Sequence, residues 1–176
     1  MVYGLNLGFT NDDCVFEDCY FEGDYDGIHL RSSNRTQLVR CHGKGKFDGL
    51  QGGDGEGHLI RDCIAETTGE NNIDDWTNAF VCNDAKGLRV HNLYCKARRS
   101  LAGDNKHLAG AMIKEEALID GLTLDVDHSG TGDHRVAGLV VDDSSGKCTI
   151  TKVHAITKTA EGSVYGVSVE KRFDLD

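Results

Sequence analysis

The chain has 176 residues and a net charge of −10, with 22 glycines, no proline and 39% apolar residues. That length fits one domain with a core of its own, and no stretch approaches the apolar run that a membrane-spanning helix needs. The acidic balance excludes non-specific binding to nucleic acid or to an anionic membrane, which calls for a basic face.

The first residues, MVYGLNLGFT, lack the charged start and apolar core of a signal peptide. The chain as given is therefore expected to be soluble and without an export address; its location stays open, with a virion or an extracellular setting both compatible. From Tyr3 onward one short segment recurs. It reads YGLNL (3–7), DGIHL (26–30), DGLQG (48–52), NAFVC (78–82), AGAMI (109–113), AGLVV (137–141) and YGVSV (165–169). Its second residue is Gly or Ala every time, and the steps between these small residues are 23, 22, 30, 31, 28 and 28. Unequal steps between constant segments place inserted loops mainly after the third, fourth and fifth copies. With proline absent, the turns fall to Gly, Asn and Asp, which tolerate left-handed backbone angles.

Within each copy alternate positions are mostly apolar. One inward row reads Leu5, Ile28, Leu50, Phe80, Ala111, Leu139, Val167, and a second reads Leu7, Leu30, Gly52, Cys82, Ile113, Val141, Val169. Such alternation marks a strand with one buried face. A second strand follows each of the first six copies. Its inward pairs are Phe16 and Cys19, Leu38 and Cys41, Ile60 and Cys63, Val90 and Leu93, Ile119 and Leu122, Ile150 and Val153. Cys19, Cys41 and Cys63 thus fall at one place in successive copies and predict a ladder of buried thiols. The seven cysteines include no C-x-x-C pair, and an odd count does not close a disulfide framework.

No copy can bury its apolar face alone, but stacked copies form a continuous core. The expected fold is all-β: a single-stranded right-handed parallel β-helix, a solenoid of about seven coils, roughly 30 Å long at about 4.8 Å per step. Residues 1–176 form one such domain, either a fragment or part of a larger assembly. A β-sandwich would not need a small residue at the same offset each time.

The segments YDGIHLRSSNRTQLVRC (25–41) and FDGLQGGDGEGHLIRDC (47–63) resemble the parallel β-helix repeat shared by pectate lyases, polysaccharide epimerases, rhamnogalacturonases and phage tailspikes. The resemblance covers nearly the whole chain. It implies the fold and leaves several activities open. Members of this superfamily usually begin with a capping helix, whereas here the first coil starts at Val2 or Tyr3 and the last ends in SVEKRFDLD. Both ends read as uncapped, which exposes strand edges. The resemblance therefore implies a homo-oligomer, a trimer as in tailspikes, or a larger particle, with polysaccharide as a partner and neither nucleic acid nor membrane.

Outward rows place polar groups side by side. Asp26, His29, Arg31, Asp48, Gln51, Asn78 and Asn83 share one face of the early coils. In a uronate lyase or epimerase, His29 or Arg31 would be the base, with Asp26 and Asp48 orienting it or holding a metal. Two carboxylates would alternatively form the acid–base pair of a hydrolase. Gln51, Asn78 and Asn83 would bind sugar. An ordinary solvated strand face accounts for the same residues. No paired-Asp motif followed by G-H-G occurs, and the nearest triplet to R-I-K is Met112, Ile113, Lys114, which counts against a pectinase-type hydrolase.

Two loops add candidates. ETTGENNIDDWT (66–77) holds Asp74, Asp75 and Trp76, either a sugar-stacking platform or a cap on the core. DVDHSGTGDH (125–134) sets Asp125, Asp127, Ser129 and Asp133 at positions 1, 3, 5 and 9 of a calcium loop, with Gly130 at position 6. Val136 stands where an EF-hand has glutamate, so this is at most a partial calcium loop, and Asp125 and Asp127 read alternatively as plain outward strand residues. Calcium is the one cofactor the sequence suggests. His128 and His134 would suit a transition metal but read more simply as solvated loop side chains. Three function classes follow: a particle module such as a tailspike, fibre or decoration protein, a polysaccharide-acting enzyme, and a carbohydrate-binding module. The short rod, the open ends and the incomplete catalytic signature favour the first.

Overall fold

The computed structural model describes residues 1–8, 11–53, 55–70, 76–83, 85–103, 106–142 and 148–170. Among them there is no helix. The strands of the first three coils are β1 (Leu5–Asn6), β2 (Val15–Glu17), β3 (Tyr20–Gly23), β4 (Ile28–His29), β5 (Gln37–Val39), β6 (His42–Gly45), β7 (Asp48–Gly52), β8 (Gly55–Glu56) and β9 (Leu59–Thr67). The remainder are β10 (Trp76–Cys82), β11 (Ala85–Lys86), β12 (Leu88–Arg99), β13 (His107–Ile113), β14 (Ala117–His128), β15 (Arg135–Asp142), β16 (Thr149–Thr159) and β17 (Ser163–Glu170).

They stack as a parallel β-helix. A seven-stranded sheet runs β1-β4-β7-β10-β13-β15-β17. Its register pairs Leu5 with Ile28, then Leu50, Phe80, Ala111, Leu139 and Val167, the inward row expected from the repeat. The second sheet runs β2-β5-β9-β12-β14-β16, with β3 and β6 extending it beside β9. A two-stranded ladder of β8 and β11 lies at the corner between the sheets. Leu30, Leu50, Phe80, Ile60, Leu93, Ile113 and Ile119 are all buried in one continuous core.

The inward pairs of the second strand stand three residues apart, which simple alternation does not permit. The structure supplies the reason. The residue between each pair adopts a left-handed conformation: Asp18, Arg40, Asp62, Asn92, Gly121 and Lys152 have φ of 54°, 51°, 54°, 53°, 87° and 55°. One such residue folds the strand, so side chains on both sides of it turn into the core. Aspartate, asparagine and glycine suit this conformation; arginine and lysine do not. Each of these two is held by an acid. Arg40 Nε donates to Asp18 Oδ1 at 2.7 Å, and Lys152 Nζ lies 3.0 Å from Asp120. Asp13, Arg35, Gly57 and Gly87 form a second left-handed column, and Arg35 Nε donates to Asp13 Oδ1 at 2.6 Å.

The small residue of the repeat has an equally local cause. It sits where the first sheet meets the returning chain. A Cβ at Gly27 would lie 2.1 Å from the Lys44 amide nitrogen, and one at Gly49 would lie 2.4 Å from that of Glu66. The thiol ladder forms as expected at its inner rungs. Cys41 and Cys63 are buried, and the Cys41 amide donates to Cys63 Sγ at 3.4 Å; Cys19 is half-buried. Burial pushes the Cys63 thiol up to about 11.

One loop expectation changes and one open reading is decided. Trp76 opens strand β10 rather than sitting in a loop, and Asp125 and Asp127 belong to strand β14. In both places the ladder to the neighbouring coil runs further than the repeat motif, with Trp76 paired to His107 and Asp127 to Lys158.

Candidate functional site

The polar row of the first sheet is outward by register yet closed to solvent. Asp26, Asp48 and Asn78 are 0%, 2% and 4% exposed. Each carboxylate turns along the stack to the next coil. The Asp48 amide donates to Asp26 Oδ1 at 3.3 Å, and the Asn78 amide and Nδ2 donate to Asp48 Oδ1 at 3.1 and 3.2 Å. The expected solvated face is therefore, at these three positions, a buried ladder that ties coils together.

His29 is the imidazole that this ladder orients. Its Nδ1 lies 2.9 Å from Asp26 Oδ2, its side chain is 12% exposed, and the Tyr3 ring stands edge-on at 5.4 Å. With Nδ1 donating to the carboxylate, Nε2 is left as the basic atom, the arrangement of a carboxylate–imidazole pair. Gly53 leaves space beside that atom, since a Cβ there would come within 3.4 Å of it. Gln51 stands next to His29 on the neighbouring strand, half-buried, and Arg31 is exposed. Asn83 is half-buried, and its side-chain Oδ1 is buried with no hydrogen-bond partner among the described residues.

The two acids do not share one electrostatic state. Burial raises the Asp26 carboxyl, and the His29 hydrogen bond opposes that rise. Burial raises Asp48 well above the ordinary value, the Asp26 charge adds to it, and the Asn78 hydrogen bonds oppose it. Asp48 is thus the acid with the stronger hold on its proton, and Asp26 is the one that pairs with imidazole.

The other candidates separate in space. Trp76 is half-buried against Val81, Ala109, Met112, Ala137 and Val140 on the outside of the first sheet, with His107 at 4.9 Å. Asp74 and Asp75 lie outside the described residues. Asp125 is hydrogen-bonded by Arg98 and by the Tyr94 hydroxyl, and the Arg98 bond holds its carboxyl below the ordinary range. Asp127 is half-buried on the same strand, while Ser129 and Asp133 are exposed beyond its end. Among the described residues no three His, Cys, Asp or Glu side chains converge as a metal site.

His128 and His134 are not solvated. Both are fully buried, with rings stacked at 3.8 Å and 14°. The sequence shows two histidines in one glycine-rich loop but not that the loop folds their rings together.

No family model matches the chain, and no curated protein matches it. Among the described residues no helix is long and apolar enough to cross a membrane.

Proposed function

We propose that the chain is a β-helical interaction module of a larger assembly, of the kind from which phage tailspikes, fibres and decoration proteins are built, and that it meets polysaccharide there. The supporting observation is the surface of the last described coil. Val153, Val164 and Val167 are 38%, 45% and 57% exposed, whereas Leu122, Val136 and Leu139, their partners one coil earlier, are 0%, 0% and 3% exposed. Among the described residues nothing pairs with the outer edges of β16 and β17. Bare core side chains beside an open strand edge form a surface that another chain covers well. Light scattering of the whole chain tests this. A trimer or higher species is expected, broken down by Val167→Lys. A chain that stays monomeric at every concentration overturns the proposal.

A second reading, a uronate lyase or epimerase, has the Asp26–His29 pair in its favour. His29 Nε2 would take the proton next to the uronate carboxylate while Arg31 neutralises that carboxylate. In a lyase the freed electron pair forms the double bond and expels the glycosidic oxygen. Unsaturated product (lyase) or C5-inverted uronate (epimerase) from a uronate polymer, lost in His29→Ala, is the expected outcome. No product from wild-type protein removes this reading.

A further inference from the structure

On the part of the second sheet that precedes its left-handed corner, outward side chains of β5, β9 and β12 stand in two register rows. One holds Gln37, Leu59 and Arg89, and the other holds Val39, Arg61 and His91. All but the buried Val39 border a groove of about 510 Å³ that reaches Arg35 and whose floor includes Gly57 and Gly87. Neither glycine has a side chain to fill it, and both hold the left-handed corner, with φ of 72° and 63°.

The cations of the fold fall into two kinds. Arg35, Arg40, Lys96 and Arg98 are each bound to a named acid. Arg61 and Arg89 are exposed, and among the described residues neither has an ion pair or side-chain hydrogen bond. The chain carries 29 acids against 19 basic residues, so acids to pair them with are plentiful. Two adjacent guanidinium groups without one form a local positive site on an acidic protein.

Their spacing indicates what they hold. They lie on neighbouring strands and two positions apart along them, so their backbones are about 8 Å apart. One oxyanion does not span that distance, but successive charged groups of an extended polymer do. Each guanidinium offers a planar fork to a carboxylate or sulfate. Gln37 and His91 add donors beside it. The site lies on a sheet face rather than an edge, which disfavours strand addition by a peptide. A bare glycine floor flanked by polar donors suits a hydroxyl-rich chain.

We infer that this groove binds an acidic glycan, with its carboxylate or sulfate groups held by Arg61 and Arg89. The inference rests on the proposal that the module meets polysaccharide; it narrows the ligand to an acidic one and moves contact to the second sheet. Binding is measured with heparin as the sulfated probe, polygalacturonate as the carboxylated probe and polyglutamate as the peptide probe. Wild-type protein is expected to bind at least one glycan probe, with affinity falling as salt rises. The double variant Arg61→Ala, Arg89→Ala is expected to lose roughly a hundredfold. Arg61→Lys with Arg89→Lys keeps the charge and recovers part of that loss, and a matching melting temperature shows that each variant folds. Lys158→Ala, on a later coil, is expected to bind as wild type. The inference falls if no glycan binds, if Lys158→Ala loses as much as the double variant, or if polyglutamate binds as tightly through the same arginines. Light scattering on the same samples separates the two proposals. An oligomer that ignores both glycans overturns the groove alone, and a monomer that binds through these arginines overturns only the assembly.

Discussion

Asp48 sits one coil beyond Asp26 and gives its backbone amide to the Asp26 carboxylate, while its own carboxyl receives two N–H groups from Asn78. The position needs an acceptor aimed along the stack, and it does not need a charge. Burial and the neighbouring Asp26 make the charge costly. The folded carboxyl therefore titrates above the unfolded one, so the unfolded chain loses its proton first as pH rises from the ordinary 3.8. Stability falls through that interval and does not return above it. Asp48→Asn keeps the acceptor and removes the titration. Its melting temperature should exceed that of wild type near about pH 7, with the gain gone near about pH 3. An equal difference at both pH values would show that Asp48 is not the buried proton carrier.

Glycine at the repeat's small position is a steric requirement in some coils and not in the last. Gly27→Ala would drive a methyl group to 2.1 Å from the Lys44 amide, and backbone cannot move aside cheaply. A loss of about 3 kcal/mol or more is expected in denaturant unfolding. Gly166 has nothing within 4 Å of its Cβ position. Gly166→Ala should change stability by less than about 0.5 kcal/mol. Equal losses at both sites would mean that contact with the returning chain is not what selects the small residue.

Period-two alternation carries enough information to read the first sheet, and the row Leu5 to Val167 appears in the register without a slip. The three-residue spacing of Leu38 and Cys41 was equally visible, but its cause was not, because Arg40 is no usual left-handed residue. Contacts with Asp18 and Glu17, one coil away, support it there. Outward parity identified Asp26, Asp48 and Asn78 as one column and misjudged their solvation, since parity reports direction and not what packs beside a side chain. Arg61 and Arg89 escaped notice for a related reason. In sequence they look like any outward arginines, and what distinguishes them is the shared groove into which the register brings them.

The stacked histidines predict a specific acid sensitivity. His128 Nε2 donates to the Lys106 carbonyl at 2.9 Å, and the Gly130 amide donates to His128 Nδ1 at 3.2 Å. Both ring nitrogens are thus committed in the neutral form, and a proton on Nδ1 would displace the Gly130 bond. Burial, then the neighbouring His134, lowers the His128 imidazole to about 4 from an ordinary 6.5. In the unfolded chain the same group takes up a proton nearer 6.5. Stability carried by neutral His128 is complete above that value and drains away as pH falls toward 4, by roughly 3 kcal/mol in all. His128→Gln retains a donor and an acceptor but does not titrate. The stability difference between wild type and His128→Gln should therefore be flat above about pH 7 and shift against wild type through the acid range. Asp26 and Asp48 titrate in both proteins and cancel in that difference. A difference that does not depend on pH would place the acid sensitivity elsewhere in the fold.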